Sequence, residues 1–460
     1  MTPYFELCSS TVTAVACHES IVYNLIWMFL IFPPRKCSMK NTILLCVFCV
    51  FAVATVSAQE EENWPRFRGP NGQGVSTATG LPVTWNAGEN IAWQRDIPGE
   101  GWSSPIIWND HIFLTSVTDG LKNCHVIALD RKTGDILWNK IVFTQEVRQR
   151  HPRNSGATPT PTTDGKCVYA TFAGAGIAAL DFDGNIVWTK EDLNFYSYHG
   201  NGSSPILYGD LFLLAVNPSN PGEPPRLGWQ LPWDKSFLLA LDKHTGKERW
   251  RGMRGMSRIA HATPVVMQVN GNDQIISLAG DVIQGFDPAD GKRIWSVTSD
   301  GEPCVPSPAI GGGLIYSAPT GGDPIRAVRP DGQGDCTKTH IVWEQKRNAP
   351  MMSSLLYVEP CLYSCTDSGS FSCLDAATGE FLWQLRLGES LDPSPLYADG
   401  KIYVLSAQGT TTVLKPSADP KKPAEIIATN ELDEPCQASI AVAGKQLFIR
   451  TAERLWCIGK

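Results

Sequence analysis

The stretch ALDRKTGDILW, Ala128 to Trp138, is written like one β-hairpin. Apolar residues lead to an Asp, Thr-Gly supplies a turn residue able to take positive φ, and the returning strand carries a Trp. The same words recur as ALDFDGNIVW (Ala179 to Trp188), ALDKHTGKERW (Ala240 to Trp250), GFDPADGKRIW (Gly285 to Trp295) and CLDAATGEFLW (Cys373 to Trp383). Degenerate copies end at Trp343 and at Ala428, the latter in EIIA. The Asp is expected to bond the turn backbone and the inward Trp to fill the gap between neighbouring sheets, both structural roles. Upstream of each hairpin stands a second one, opened by a Ser/Thr-Pro element or its remnant: SSPIIW at Ser103, ATPTPTT at Ala157, SSPILY at Ser203, ATPVV at Ala262, PSPAIG at Pro306, SSLLYV at Ser353, PSPLYA at Pro393 and ASIAVA at Ala438.

Two hairpins per unit make four antiparallel strands, the unit of a propeller blade. The last unit has three strands before the chain stops at ERLWCIGK, and NIAWQRDI, with Trp93, supplies the fourth from the other end. Pairing both termini in one blade removes the exposed edges of an open array. The expectation is an all-β, eight-bladed β-propeller over residues 89–460, preceded by an extended segment at 59–88, with seven blades as the alternative. Trp93, Trp138, Trp188, Trp250, Trp295, Trp343 and Trp383 are its structural tryptophans.

Composition agrees. The 460 residues include 41 Gly, 33 Pro and 15 Trp and are only 18% charged, which excludes a helical or coiled-coil protein. A net charge of -7 without a basic run argues against nucleic acid as a partner.

The front of the chain has another character. Met39-Lys40-Asn41 opens a basic start, followed by an apolar run from Ile43 to Val56 and by Val56-Ser57-Ala58, the pattern of a secretory signal peptide over 39–58. Residues 1–38 then read as an over-called upstream extension, and the mature chain as exported to the periplasm or cell exterior after cleavage near Ala58, without a stable membrane span. Of 14 cysteines, Cys8, Cys17, Cys37, Cys46 and Cys49 precede that cut, leaving nine, an odd number. Export permits disulfides, and Cys365 and Cys373 flank a turn across which they can face each other. Most of the nine read as small buried hydrophobes.

The A-x-D-x-x-T-G-x-x-x-W hairpin resembles the tryptophan-docking motif of pyrroloquinoline-quinone (PQQ) type propellers, a group that includes quinoprotein alcohol dehydrogenases and the assembly lipoprotein BamB. NWPRFRGPNGQGVS (Asn63 to Ser76) and LDEPCQASIAVAGKQLFIRTAERLWCIG are similar to exported planctomycete PQQ-like propeller proteins. The resemblance covers Asn63 to Lys460. It implies a fold and an exported location without implying a reaction. Quinoprotein dehydrogenases hold PQQ under a vicinal Cys-Cys disulfide with Ca²⁺ nearby. No Cys-Cys pair stands in this sequence, so none of those cofactor residues is carried over, and no catalytic or metal residue is assigned.

A ligand is expected on the face where the blade-to-blade loops open. Three consecutive lead-ins are enriched: Arg148, Arg150, His151, Arg153 and Asn154; Asn194, Tyr196, Tyr198, His199 and Asn201; Arg251, Arg254, Arg258 and His261. The insertion Asn217 to Ser236, with Arg226, Trp229, Trp233 and Asp234, hangs over the same sector. Such a basic and aromatic funnel suits a small anionic or carbohydrate-like ligand, or an envelope protein. The simpler reading makes these arginines solvated or paired with acids such as Glu146 and Asp192. His151, His199 and His261 are also near enough in blade order to converge on a metal. Glu302, Met351, Met352, Glu389, Asp392 and Glu434 precede the other blades and form a less basic side. Gly174-Ala175-Gly176 lacks the following helix a phosphate loop needs, and no hydrolase elbow is present. The functional expectation is a non-catalytic ligand-binding or interaction scaffold. A divergent PQQ-dependent oxidoreductase and a BamB-like envelope assembly factor are the alternatives.

Overall fold

Eight antiparallel sheets form in the computed structural model, which describes residues 63–459 apart from 147–150, 152, 173, 194–195, 223, 225 and 320–322. The expected upstream extension, signal peptide and cleavage site lie outside the described residues, as do Arg148, Arg150 and Asn194. The innermost strands are Ile106–Trp108, Thr162–Thr163, Ile206–Tyr208, Val265–Val269, Ala309–Gly311, Leu356–Val358, Leu396–Ala398 and Ala441–Ala443, and they number blades one to eight. The sheets are arranged as an eight-bladed β-propeller, and the seven-bladed alternative falls. Strand Ile91–Asp96 pairs with Arg454–Ile458 and completes blade eight from the N-terminal side.

Register makes the repeat exact in kind. In the outermost strands Trp138 faces Ala128, Trp188 faces Ala179, Trp250 faces Ala240, Trp295 faces Gly285, Trp343 faces Ala327 and Trp383 faces Cys373. Ala428 faces Val413, and Trp93 faces Cys457, so the degenerate copies keep their places. A register shift follows the residue facing each of these Trp side chains on blades one to six, a bulge that adds local twist.

There the indole docks. Trp93 Nε1 donates to Arg131 O at 2.9 Å, Trp138 to Phe182 O at 2.7 Å, Trp188 to Lys243 O at 2.8 Å, Trp250 to Pro288 O at 3.1 Å, Trp343 to Ala376 O at 3.1 Å and Trp383 to Ser417 O at 3.0 Å. For Trp93, Trp138, Trp188, Trp250 and Trp343 the turn glycine of the receiving blade lies under the ring. At Gly134 φ is +72° and a Cβ would sit 2.5 Å from Trp93, so the Thr-Gly of the motif is demanded twice, by turn and by neighbour. The Asp caps its own turn, as Asp130 Oδ1 accepts from Lys132 N and Thr133 N. Trp295 departs from the pattern. It donates to Gln274 Oε1 within its own blade, and the short strand Gly334–Asp335 pairs in parallel along its outer edge.

Residues 63–86 cross the face bearing the turns between first and second strands. Trp64 exchanges main-chain bonds with Ile107 in blade one, Pro65 O accepts from Thr163 N in blade two, Arg68 Nη2 donates to Leu355 O beside blade six, and Ser76 N donates to Tyr397 O in blade seven. A segment touching blades on both sides of the axis plugs the central channel at that end. Gly69 permits the crossing, since with φ +80° its Cα lies against the Trp64 ring, where a Cβ would be 2.6 Å away.

The cysteine expectation is corrected. Cys365 faces Phe371 and Cys373 faces Tyr363, so the two are out of register for a bridge, and the nine cysteines of the described residues are free, eight of them buried.

Candidate functional site

Each innermost strand is entered through a Ser or Thr whose main-chain N–H donates to the hydroxyl of its counterpart in the next blade. Ser104 N reaches Thr160 Oγ1 at 2.9 Å, Thr160 N reaches Ser204 Oγ at 3.0 Å, and Ser204 N reaches Thr263 Oγ1 at 3.0 Å. Thr263 N reaches Ser307 Oγ at 2.9 Å, Ser307 N reaches Ser354 Oγ at 3.0 Å, and Ser354 N reaches Ser394 Oγ at 3.0 Å. Ser394 N reaches Ser439 Oγ at 3.0 Å, and Ser439 N returns to Ser104 Oγ at 3.0 Å. The circuit closes after eight steps. Each hydroxyl is used once as an acceptor, which leaves its proton and a second lone pair free for a guest.

All eight of these residues line an axial cavity of about 580 Å³. Phe67, delivered by the plug, lines it too, so the far end of the channel is stopped by an aromatic ring. Toward the other face the wall is built from the lead-in loops: Trp102, His151, Arg153, Asn154, His199, His261, Glu302, Met351, Met352, Asp392 and Gln437, with Trp229 from the insertion.

The histidines come together without forming a metal centre. His151 and His199 have ring centroids 5.4 Å apart, and His199 and His261 6.1 Å apart at 86°. The first pair is tilted at 44° and the second meets edge to face, and among the described residues no three His, Cys, Asp or Glu side chains are placed to hold a metal ion. Burial, with the neighbouring His261, His151 and Arg226 charges, pushes the His199 imidazole down to about 3. Burial, then the His151 charge, pushes His261 down to about 4. Gly202 N donates to His261 Nδ1 at 3.1 Å, which leaves the ring proton on Nε2. Behind them Tyr198 stacks on Trp229 at 4.9 Å and 10°, with the Arg226 guanidinium 3.8 Å over Tyr198. Trp229 is thus held from behind while it faces the cavity.

Of the expected ligand residues, His151, Arg153, Asn154, His199, Trp229 and His261 line this one space, and Tyr198 supports it. Arg254 does not. Its side chain is 1% exposed and donates to Leu278 O and Ser277 Oγ at 2.7 Å each, a pin inside blade four. Arg258 donates to Gly301 O at 2.7 Å and lies 3.7 Å from Glu302, so it braces the wall from outside. Tyr196 and Trp233 are outside the lining, the latter paired through its backbone with Ser257. On the less basic side Glu302, Met351, Met352 and Asp392 take their expected places. Glu389 is instead bonded by Ser406 Oγ, and Glu434 is engaged by Arg454 and by Thr451 Oγ1. Among the described residues the basic side chains that line the cavity reduce to Arg153, which reaches across the mouth from the blade-two side to Asp367 of blade six at 3.8 Å.

Sequence reasoning missed the hydroxyl circuit, Phe67, Trp102 and Gln437. The Ser/Thr-Pro starts were its visible signal, since the Ser or Thr before the strand is the residue that bonds around the axis.

The lining does not fit PQQ with Ca²⁺. A tricarboxylic acid needs cations that are free to meet it, whereas among the described lining residues Arg153 is the single Lys or Arg and is paired with Asp367. The oxygens ringed about the axis are neutral hydroxyls, and among the described residues the lining carboxylates Glu302 and Asp392 do not join a third acidic or imidazole group placed to hold a metal ion.

Comparison with known proteins agrees with the fold. The family model described as outer membrane protein assembly factor BamB matches residues 71–191, 126–220, 234–334 and 335–419. No curated protein matches the sequence. Among solved structures, BamB from Moraxella catarrhalis superposes with a TM-score of 0.55 at 13% identity, covering 80% of this chain and 97% of that one. A europium-containing methanol dehydrogenase gives 0.54 at 11% identity, covering 88% and 99%. The computationally designed Ika8 protein gives 0.54 at 10% identity, covering 79% and 98%.

Proposed function

We propose, from the premise that the chain belongs to the PQQ-like β-propeller family of the outer membrane protein assembly factor BamB, that it is an exported, non-catalytic binding propeller whose axial cavity receives a small ligand. The observation that carries this reading is the cavity itself, closed at one end by Phe67 and the plug, ringed by hydroxyls, and open through the lead-in loops. Its volume lies within the roughly 300–1,000 Å³ common to small-molecule sites. The wall brings together groups suited to hold a molecule, aromatic faces and hydrogen-bonding side chains. Among the described residues of the lining, no nucleophile is hydrogen-bonded to a base.

Export rests on the signal-like residues 39–58, and among the described residues no helix is long and apolar enough to cross a membrane. A role in outer membrane protein assembly, as the family description names for BamB, is the alternative reading.

Two measurements test the proposal. The exported protein reconstituted with PQQ and Ca²⁺ is expected to show no dye-linked alcohol oxidation, and turnover above the buffer rate would reject the non-catalytic reading. A thermal-shift screen of sugars, sulfated glycans and PQQ is expected to yield a stabilising ligand whose effect disappears in Trp229→Ala. Stabilisation that survives that substitution places the ligand elsewhere and removes the cavity from the function.

A further inference from the structure

We infer that the axial cavity is a saccharide site, taking a neutral polyhydroxylated ring whose hydroxyls exchange hydrogen bonds with the eight-membered Ser/Thr circuit and whose C–H faces lie against aromatic side chains. The inference rests on the reading of the cavity as a ligand site and names its chemistry.

Three independent features carry it. The first is the circuit. Ser104, Thr160, Ser204, Thr263, Ser307, Ser354, Ser394 and Ser439 each spend one lone pair on a neighbour's N–H, and among the described residues none passes its own proton to a protein acceptor. A hydroxyl so placed both donates and accepts, which matches a partner that is also made of hydroxyls. The main-chain N–H groups that would cradle an anion are already consumed by the circuit itself.

The second is charge. Among the described residues each ionised group in the wall has a polar partner: Arg153 meets Asp367 at 3.8 Å, Glu302 meets Arg258 at 3.7 Å, and Asp392 accepts from Ser390 Oγ at 2.6 Å. His261 accepts from Gly202 N at 3.1 Å through Nδ1, so it presents Nε2–H as a neutral donor. A charged ligand would compete with these contacts, whereas a neutral one leaves them standing.

The third is the aromatic surface. Phe67 comes from the plug, Trp102 from the lead-in of blade one and Trp229 from the insertion in blade three, three separate elements converging on one space. Trp229 is held in place by Tyr198 and Arg226 behind it. Rigid aromatic faces beside a polar ring are what an amphipathic pyranose requires, its axial C–H groups apolar and its rim polar.

The test is isothermal titration of the exported protein, with tryptophan fluorescence in parallel, against maltotriose, cellotriose, chitotriose and xylotriose, and against trigalacturonate and sulfated maltotriose. At least one neutral trisaccharide is expected to saturate the protein, with an affinity indifferent to added salt and at least tenfold weaker in Trp229→Leu and in Ser204→Ala. Ser204→Ala also removes an acceptor from the circuit, so its thermal midpoint is measured. Trp229→Leu and Phe67→Leu leave the circuit whole and carry the test if the ring variant unfolds. Tighter, salt-sensitive binding of a charged trisaccharide that is lost in Arg153→Ala overturns the neutral assignment and leaves the cavity reading standing. No titration by any saccharide overturns the saccharide assignment outright. The cavity reading then stands or falls on the thermal-shift screen, which includes ligands of other classes.

Discussion

His199 is a base that folding disarms. Buried against Trp229 and between two other imidazoles, it is held near 3, and His261 near 4, both well below the 6.5 of a free histidine. The unfolded chain therefore binds more protons than the folded one between those values, and stability rises with pH through that window. The stabilisation is fully present above about pH 6.5 and is lost as pH falls toward 4 and then 3. The thermal midpoint is expected to decline through this range in the wild type and to decline less in His199→Gln and His261→Gln. A pH profile identical in all three proteins would contradict the assignment. Residue type alone did not reveal this. The sequence places three histidines in consecutive lead-ins, but whether they meet a metal, solvent or one another depends on the direction of each loop. Arg254 and Arg258 teach the same lesson, because an arginine's sequence neighbours do not disclose that carbonyls at Leu278 and Gly301 are its partners.

At the scale of the element, the hairpin was almost wholly legible. Asp, Thr-Gly and Trp lie within eleven residues in Ala128 to Trp138, and each acts through its own turn or through the strand it faces. Only the destination of the Trp was hidden, since the carbonyl and glycine that receive it stand in the following blade. Gly246 shows the dependence, with φ +68° and a hypothetical Cβ 2.6 Å from Trp188. Gly246→Ala is expected to cost at least about 1 kcal/mol from the backbone alone, with more from the displaced indole, read as a shift in denaturant midpoint. Trp383→Phe keeps most of the apolar contact but forfeits the 3.0 Å bond to Ser417 O, and is expected to cost about 1 kcal/mol. If the two substitutions prove equally mild, the docked indole is not what couples the blades.

For the whole molecule, closure is the decisive feature. Blade eight joins strand Ile91–Asp96 to Arg454–Ile458, and Arg450 Nη1 ties that blade to Ser103 Oγ at 2.6 Å and Thr115 O at 2.8 Å of blade one. Deleting residues 63–96 would expose the Arg454–Ile458 edge and unstop the channel, and unpaired edges recruit other chains. The truncated protein is expected to elute as dimers or aggregates on size-exclusion chromatography, while the intact one elutes as a monomer-sized ring. A truncated form that stays monomeric with an unchanged thermal midpoint would remove closure as a source of stability.

The amino-acid order by itself determined the hairpin, its repetition, the four-stranded blade and the return of the N-terminal strand. Each depends on local turn chemistry, on period-two alternation, or on counting strands. The tertiary structure alone decided which polar groups share a space. Ser104 and Ser439 are 335 residues apart and become neighbours only when the ring closes, and Phe67 reaches the axis only because the plug runs across it. A ring converts residues that are periodic along the chain into residues that converge at a point. The chemistry of that point belongs to the closed circle and to no single repeat.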